Sequence, residues 1–418
     1  MDKVTPKHYN IRSMFRRAGK TDHSAEHSKE RVLTHMMNER QTSRPHLAEM
    51  TGLSRATIAL IVDEFLDKGL VTEIGPGNSS GGRPPVLLEF NADAALALGA
   101  SIHGNEWSIV ATNLDARMVF RQREPMRDSS VEAAIEALSR GVARVRKEVD
   151  SRKLLPGIGI GSPGLVDIYS GTVKSAVDMD WLNVPMGELV EAATGVKAFV
   201  ANRSKVGALA ELRLSPDRSV QDLIYVSVGT GVAAGIIQEG RLLIGTNSSA
   251  GELGHITIVP SGPLCACGNR GCLQELVSER AIANRARMRI REQNQTSLRR
   301  IAGALPETLG AHDVLKAAEE GDAVARSVLE EVAGYLSIAL GNLINLFNPQ
   351  LVVLGGPVAT ESPYLCEQVV TQVALHAMAY PLSATQIKQS SLGIDASAIG
   401  ASVLVLQRAS DLVAALDR

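Results

Sequence analysis

The chain has 418 residues, 45% hydrophobic and 21% charged, with a formal net charge of -2 at pH 7. That length accommodates two or three domains with sizeable cores, and the near-neutral charge excludes a protein that coats nucleic acid with its whole surface, so any DNA contact must be local. An aromatic content of 3% argues against the stacking platforms used by single-strand binders. Four cysteines leave no disulfide framework, and no charged-then-apolar leader opens the chain, which together imply a reducing, cytoplasmic interior.

Residues 1–24 are polar, with scattered Lys3, Lys7, Arg12, Arg16, Arg17 and Lys20, and read as a flexible arm. A solvated tail and a groove-tracking arm both fit that composition. The next stretch, SKERVLTHMMNERQ, has helical spacing, with Val32, Leu33, Met36 and Met37 on one face. RPHLAEMTGLSRATIALIVDEFLDKGLV then gives a short helix holding Leu47 and Ala48, a turn at Gly52, and a second helix with Ile58, Ile61 and Phe65 inward. Ser54 is placed to cap that second helix.

This pattern resembles a helix-turn-helix, so Ser54, Arg55, Ala56, Thr57 and the outward Leu60 become candidates to meet base edges in a major groove. VTEIGPGNSSGGRPPVLLEF follows, two strand-like stretches around a Gly, Ser and Pro-rich tip, which reads as a wing. Arg83, beside two prolines, is a candidate for a minor groove or a phosphate. Residues 25–90 are thus expected to form a winged helix-turn-helix that binds double-stranded DNA, the plain alternative being a helical hairpin for protein contact.

From Leu96 the character changes to strands separated by helices. LALGASIHGNEWSIVATNLDARMVFRQREP reads as successive strands and DSSVEAAIEALSRGVARVRKEVD as an amphipathic helix, acidic at its start and basic later. LPGIGIGSPGLVD is a buried strand ending in a glycine-proline loop, and LIYVSVGTGVAAGIIQEGRLL a pair of strands around a glycine turn. Such a series describes an α/β body whose ligand cleft lies where the glycine loops meet.

The segment GELGHITIVPSGPLCACGNRGCLQ places His255, Cys265, Cys267 and Cys272 close together, the cysteines in a C-x-C-x4-C array. Three thiolates and one imidazole complete a tetrahedral zinc set, and four protein ligands leave no open position, so the ion is expected to be structural. Gly268 and Gly271 permit the turn that wraps an ion. The bland alternative is three buried cysteines and an unrelated histidine. Cys366, far along the chain, reads as an ordinary buried thiol.

Residues 334–360 carry no charge, which raises the question of a membrane span. Asn342, Asn345, Asn348, Pro349 and the Gly355-Gly356 pair divide the run into a helix, a turn and a buried strand.

GSPGLVD, WLNVPM, GTGVAAGI, GELGH, CACGNRGC and NPQLVVLGG, in that order, are similar to the ROK family, which contains repressors and sugar kinases. The resemblance runs from Leu96 to the C-terminus, and the module in front looks like the repressor branch. It implies an α/β, actin-like ATPase (ribonuclease H-like) two-lobed body over residues 91–418, preceded by the winged helix-turn-helix.

The family's kinases carry an Asp-x-Gly-Gly-Thr phosphate turn, and the matching segment here is Ser101-Ile102-His103-Gly104-Asn105. The acid and one small residue are gone, although a phosphate cradle needs small residues for backbone N–H approach. They also carry Asn-Asp, the Asp acting as base on the sugar hydroxyl; here Asn202-Arg203 stands in that place. A guanidinium has no acceptor and cannot take that proton. Gly229-Thr230-Gly231 survives, and fits a structural hairpin as well as a phosphate role.

The resemblance further implies effector contacts at Gly164, Asn202, Glu252, His255 and Gln274, with Arg203 near the same pocket and Gln274 where the family usually has Glu. The expectation is therefore no catalytic activity and a sugar or sugar-derivative effector, with an anionic or acceptor-rich group suited to Arg203. The function expected is a dimeric or tetrameric repressor of carbohydrate-use genes acting at a palindromic operator. The alternatives are a sugar kinase with a DNA-binding appendage and a zinc-held interaction module.

Overall fold

The structure, a computed structural model, describes residues 25–77, 84–292, 295–303 and 305–407. It divides into two compact units, residues 1–206 with 398–418, and residues 207–397.

Unit 1 opens with α1 (Ala25–Asn38), β1 (Gln41–Ser43), α2 (Arg44–Thr51), α3 (Arg55–Asp67), β2 (Val71–Pro76) and β3 (Val86–Phe90). Val32, Leu33 and Met36 from α1, Leu47 from α2 and Ile58, Val62 and Phe65 from α3 are all fully buried and form the core of this module. The local signals are strong: Ser43 accepts from His46 N to start α2, with Pro45 in its first turn. Gly52 closes α2 at φ 66°, a left-handed position that a side chain would strain, and so permits the short turn into α3. The three strands pair in the order β1-β3-β2, antiparallel throughout. The wing tip, and with it Arg83, lies outside the described residues, as does the arm at residues 1–24.

The rest of unit 1 comprises β4 (Leu96–His103), β5 (Glu106–Asn113), β6 (Met118–Pro125), α4 (Val131–Glu148), β7 (Leu154–Ser162), β8 (Leu165–Asp167), β9 (Thr172–Ala176), β10 (Trp181–Val184), α5 (Met186–Thr194), β11 (Lys197–Asn202) and α6 (Arg203–Arg213), which begins in this unit and runs on into the second. The main sheet has the order β11-β7-β4-β5-β6. Seven of the eight residues of β4 are buried, the signature of a central strand covered on both faces. On one face α4 buries Ala134, Ala137, Leu138, Val142 and Val145, and Trp107 of β5 donates to Ala134 O at 2.8 Å. The winged module is tied to this sheet by an ion pair from Arg40 to the buried carboxylate of Asp115.

Unit 2 contains β12 (Leu223–Val228), β13 (Val232–Gln238), β14 (Arg241–Leu242), α7 (Gln274–Val277), α8 (Glu279–Glu292), α9 (Ser297–Ala302), α10 (Ala311–Glu319), α11 (Ala323–Phe347), β15 (Leu351–Gly355), α12 (Gly356–Glu361), α13 (Pro363–Gln372), α14 (Ala379–Ser383) and β16 (Gln386–Gln389). Its sheet order, β14-β13-β12-β15-β16, repeats the connectivity of the first sheet. Each has an antiparallel three-strand meander whose first strand pairs in parallel with the next two-strand set. Two such copies are the doubled ribonuclease H-like plan expected from the resemblance. α15 (Ala396–Leu406) starts at the end of unit 2 and completes unit 1, passing so close to β4 and β7 that a Cβ at Gly99 or Gly159 would overlap its backbone.

The uncharged run resolves into the end of α11, a left-handed Asn348 at φ 44° and β15. By length and composition α11 is apolar enough to cross a membrane. Its Val328, Leu329, Val332, Leu336, Leu340 and Ile344 are instead buried in the core of unit 2.

Candidate functional site

The cysteine segment builds one compact site in unit 2. His255 ends a short 3-10 turn, Leu253–His255, that lies against β13, with Ala234 N donating to Gly251 O at 2.7 Å. Cys265 N donates to Asn269 O and Gly268 N to Cys265 O, which closes a tight loop around the first two cysteines. Cys272 returns beside Thr257 in an antiparallel bridge. Gly271 makes that return possible: its φ is 68°, and a Cβ there would overlap Val259 O.

The four side chains converge, their ligand atoms all within 4.8 Å of one another. Cys265 Sγ is 3.7 Å from His255 Nδ1, and Cys267 Sγ is 3.7 Å from Cys272 Sγ. A tetrahedral zinc ion sets ligand separations of about 3.8 Å between sulfurs and about 3.6 Å between sulfur and nitrogen. Donor chemistry and spacing therefore both fit a metal ion.

The thiols also bear the marks of a crowded anion site. Burial, with the neighbouring thiols, pushes Cys272 up to about 12, and burial likewise raises Cys265. The backbone N–H of Asn269 holds the exposed Cys267 below the ordinary thiol range. Three thiolates this close need a cation to coexist, so binding would release protons. Gln274, at the start of α7, donates from Nε2 to Cys265 Sγ at 3.5 Å. Among the residues expected at the effector site, Gln274 and His255 thus belong to the surroundings of this cluster. Glu252 immediately precedes the 3-10 turn that carries His255.

The remaining expected contacts lie in unit 1. Gly164 follows β7 at φ 75°, and Asn202 Nδ2 donates to its carbonyl at 2.7 Å. Asn202 Oδ1 accepts from Ser204 N at 2.8 Å, which starts α6. The Asn202 amide is thereby engaged on both sides, holding the glycine-proline loop to a helix start. Arg203 is half-buried and its Nη1 donates to Ile102 O at 3.2 Å. Ser101 is fully buried and donates to Gly161 O at 3.1 Å, so it faces the sheet interior. Ser101 and Arg203 thus each donate to a backbone carbonyl of the main sheet, at Gly161 and Ile102.

In the winged module, Ser54 caps α3 by accepting from Thr57 N at 3.1 Å. Arg55 and Ala56 are exposed, and Leu60 is 73% exposed on the outward side. Sequence reasoning missed a second group, His35, Glu39 and His46, whose ligand atoms also converge. The four-residue spacing of the first two was legible on a helix, but the return through α2 was not.

A ROK family model matches residues 98–408. The chain is 32% identical over 380 residues to the xylose repressor of Caldicellulosiruptor bescii, covering 90% of this chain and 94% of the relative. The crystal structure of a ROK family transcriptional regulator described as a homolog of the E. coli MLC protein superposes with a TM-score of 0.80 at 26% identity, covering 95% of this chain and 100% of that one. A ROK family glucokinase from Streptomyces griseus, in complex with glucose and AMPPNP, matches at 26% identity and a TM-score of 0.67, covering 74% of this chain and 99% of that one. The match to regulators extends through the N-terminal module, and with it the chain belongs to the ROK family as one of its transcriptional regulators.

Proposed function

We propose that the protein is a cytoplasmic, DNA-binding repressor of carbohydrate-use genes whose operator affinity is set by a sugar or sugar derivative. The observation that carries this reading is α3: it buries Ile58, Val62 and Phe65 and leaves Arg55, Ala56 and Leu60 to solvent, at the start of a chain alignable to a repressor over 90% of its length. Ser54, Arg55, Ala56 and Thr57 would meet base edges, and Arg83 from the wing tip would hold a minor groove or phosphate. Residues 25–90 would form the DNA-reading module and residues 91–418 the effector body, with two copies meeting the half-sites of a palindrome.

The effector would contact Gly164, Asn202, Arg203, Glu252, His255 and Gln274, and would shift the balance between DNA-competent and incompetent states by binding them unequally. His255, Cys265, Cys267 and Cys272 would hold structural Zn2+, which supplies the positive charge that three adjacent thiolates require. The same chain would lack kinase activity, because Arg203 offers no acceptor for a sugar proton and Ser101 is buried.

Selection of binding sites from random duplex DNA, repeated with a panel of pentoses, hexoses and their acid and phosphate derivatives, tests the reading. A palindromic site released by one class of sugar is expected. Failure to enrich any sequence at low salt would overturn it.

A further inference from the structure

We propose that His35, Glu39 and His46 form a second metal site, for a borderline divalent ion of the Zn2+ class, that staples α1 to α2. The three residues come from both sides of the turn between these helices, and their ligand atoms lie within 4.8 Å of one another. Glu39 Oε2 sits between the imidazoles, 3.0 Å from His35 Nε2 and 3.1 Å from His46 Nε2. Two nitrogens and one carboxylate oxygen around a zinc ion stand about 3.3 Å apart, so the two Glu39–imidazole separations would widen by only about 0.2–0.3 Å to admit an ion. Two neutral imidazoles and a carboxylate bring one formal negative charge, which suits a divalent cation better than an anion.

Each ligand is held by local structure, so the constellation is largely built before an ion arrives. His35 is only 4% exposed and offers its Nε2 from the core side of α1. Glu39 follows one helical turn later, with its backbone N donating to His35 O at 2.9 Å. His46 lies in the first turn of α2, where its backbone N donates to the capping Ser43. Glu39 and His46 are 36% and 42% exposed, which gives an ion a path from solvent and leaves its fourth position to water. Between the ligands runs β1, which pairs with β3 of the wing, so the staple braces the whole small module.

The site is separate from the cysteine cluster in sequence, in unit and in ligand type. Its test reads metal alone, so its failure leaves the DNA-binding reading standing.

Untagged full-length protein is dialysed to equilibrium against buffered micromolar Zn2+, and zinc per chain is counted by elemental analysis. Two ions per chain are expected for the wild type and one for His46→Gln, a half-exposed change that leaves the core of α1 intact. Matching thermal melts of the two proteins in chelator establish that the variant is folded. Added Zn2+ should then raise the wild-type midpoint above that of the variant. Equal zinc counts in the wild type and the folded variant overturn the proposal and leave a hydrogen-bonded triad with no metal role.

Discussion

Arg203 donates from Nη1 to the carbonyl of Ile102 at 3.2 Å, so the first residue of α6 is bonded to the end of β4. The same guanidinium can hold that strand end and still present other N–H groups, since it carries five donors. Arg203→Ala should therefore lower stability by about 1.5 kcal/mol, the scale of a hydrogen bond from a charged group. Calorimetric titration with matched neutral and anionic sugars should lose more affinity for the anionic ones. On the proposed reading Arg203→Asp alone should not create ATP turnover, because Ser101 supplies no carboxylate; ADP release above background in a coupled assay would count against this.

Gln274 lends an N–H to Cys265 Sγ, and its replacement by Glu would set a carboxylate against a thiolate. Partners of this outer kind typically change metal affinity by about 10-fold or more. Q274E should weaken zinc retention by that order in competition with a chromophoric chelator, and unchanged retention would remove Gln274 from the metal's surroundings. Zinc should also leave more readily as pH falls, because protons compete for thiols that burial already raises, Cys272 to about 12.

At the start of α3, Ser54 caps the helix and is proposed to read DNA as well, whereas exposed Arg55 makes no cap, so the two roles can be separated. Ser54→Ala removes the oxygen that accepts from Thr57 N and should cost about 1 kcal/mol of stability. Arg55→Ala, at an exposed position, should leave the melting curve unchanged while weakening specific operator binding by about 1–3 kcal/mol. Equal loss on specific and random duplexes would recast Arg55 as a phosphate contact.

Glu211, on α6, is 3% exposed and accepts a hydrogen bond from Ser390; burial raises its carboxyl above the ordinary range of 4.5. A carboxyl raised on folding favours the folded state fully below the unfolded value and loses that advantage as pH rises through the folded one. Glu211→Gln keeps a hydrogen-bonding partner for Ser390 and removes the ionisation. The variant should melt like the wild type near pH 4, then gain about 1 kcal/mol, or about 2–4 °C, by pH 8. Parallel melting curves across that range would exclude ionisation of Glu211 as a cost.

Much of the architecture was legible because its signals are local. Ser54 before an apolar helix, Gly52 in a turn, and the uncharged run broken at Asn348 each specify the backbone within a few residues. The cysteine cluster was legible for the same reason, since three of its ligands span eight residues. What escaped depends on distant segments meeting. Nothing near Asn202 announces that its amide is engaged by Gly164 and Ser204, and nothing near Arg40 points to Asp115, 75 residues away. A two-lobed body was expected, but not where it divides, near residue 206, nor that α15 returns to the first unit.

That return has a consequence for how the protein is made. β4 and β7 carry Gly99 and Gly159 because α15 lies directly on their backbone, so one face of the first sheet is finished by a helix that follows the second unit in sequence. During synthesis the ribosome must emit all of residues 207–397 before that face can be covered. Until then an apolar sheet surface waits in the open, a period in which a nascent chain is most exposed to aggregation and most in need of a chaperone.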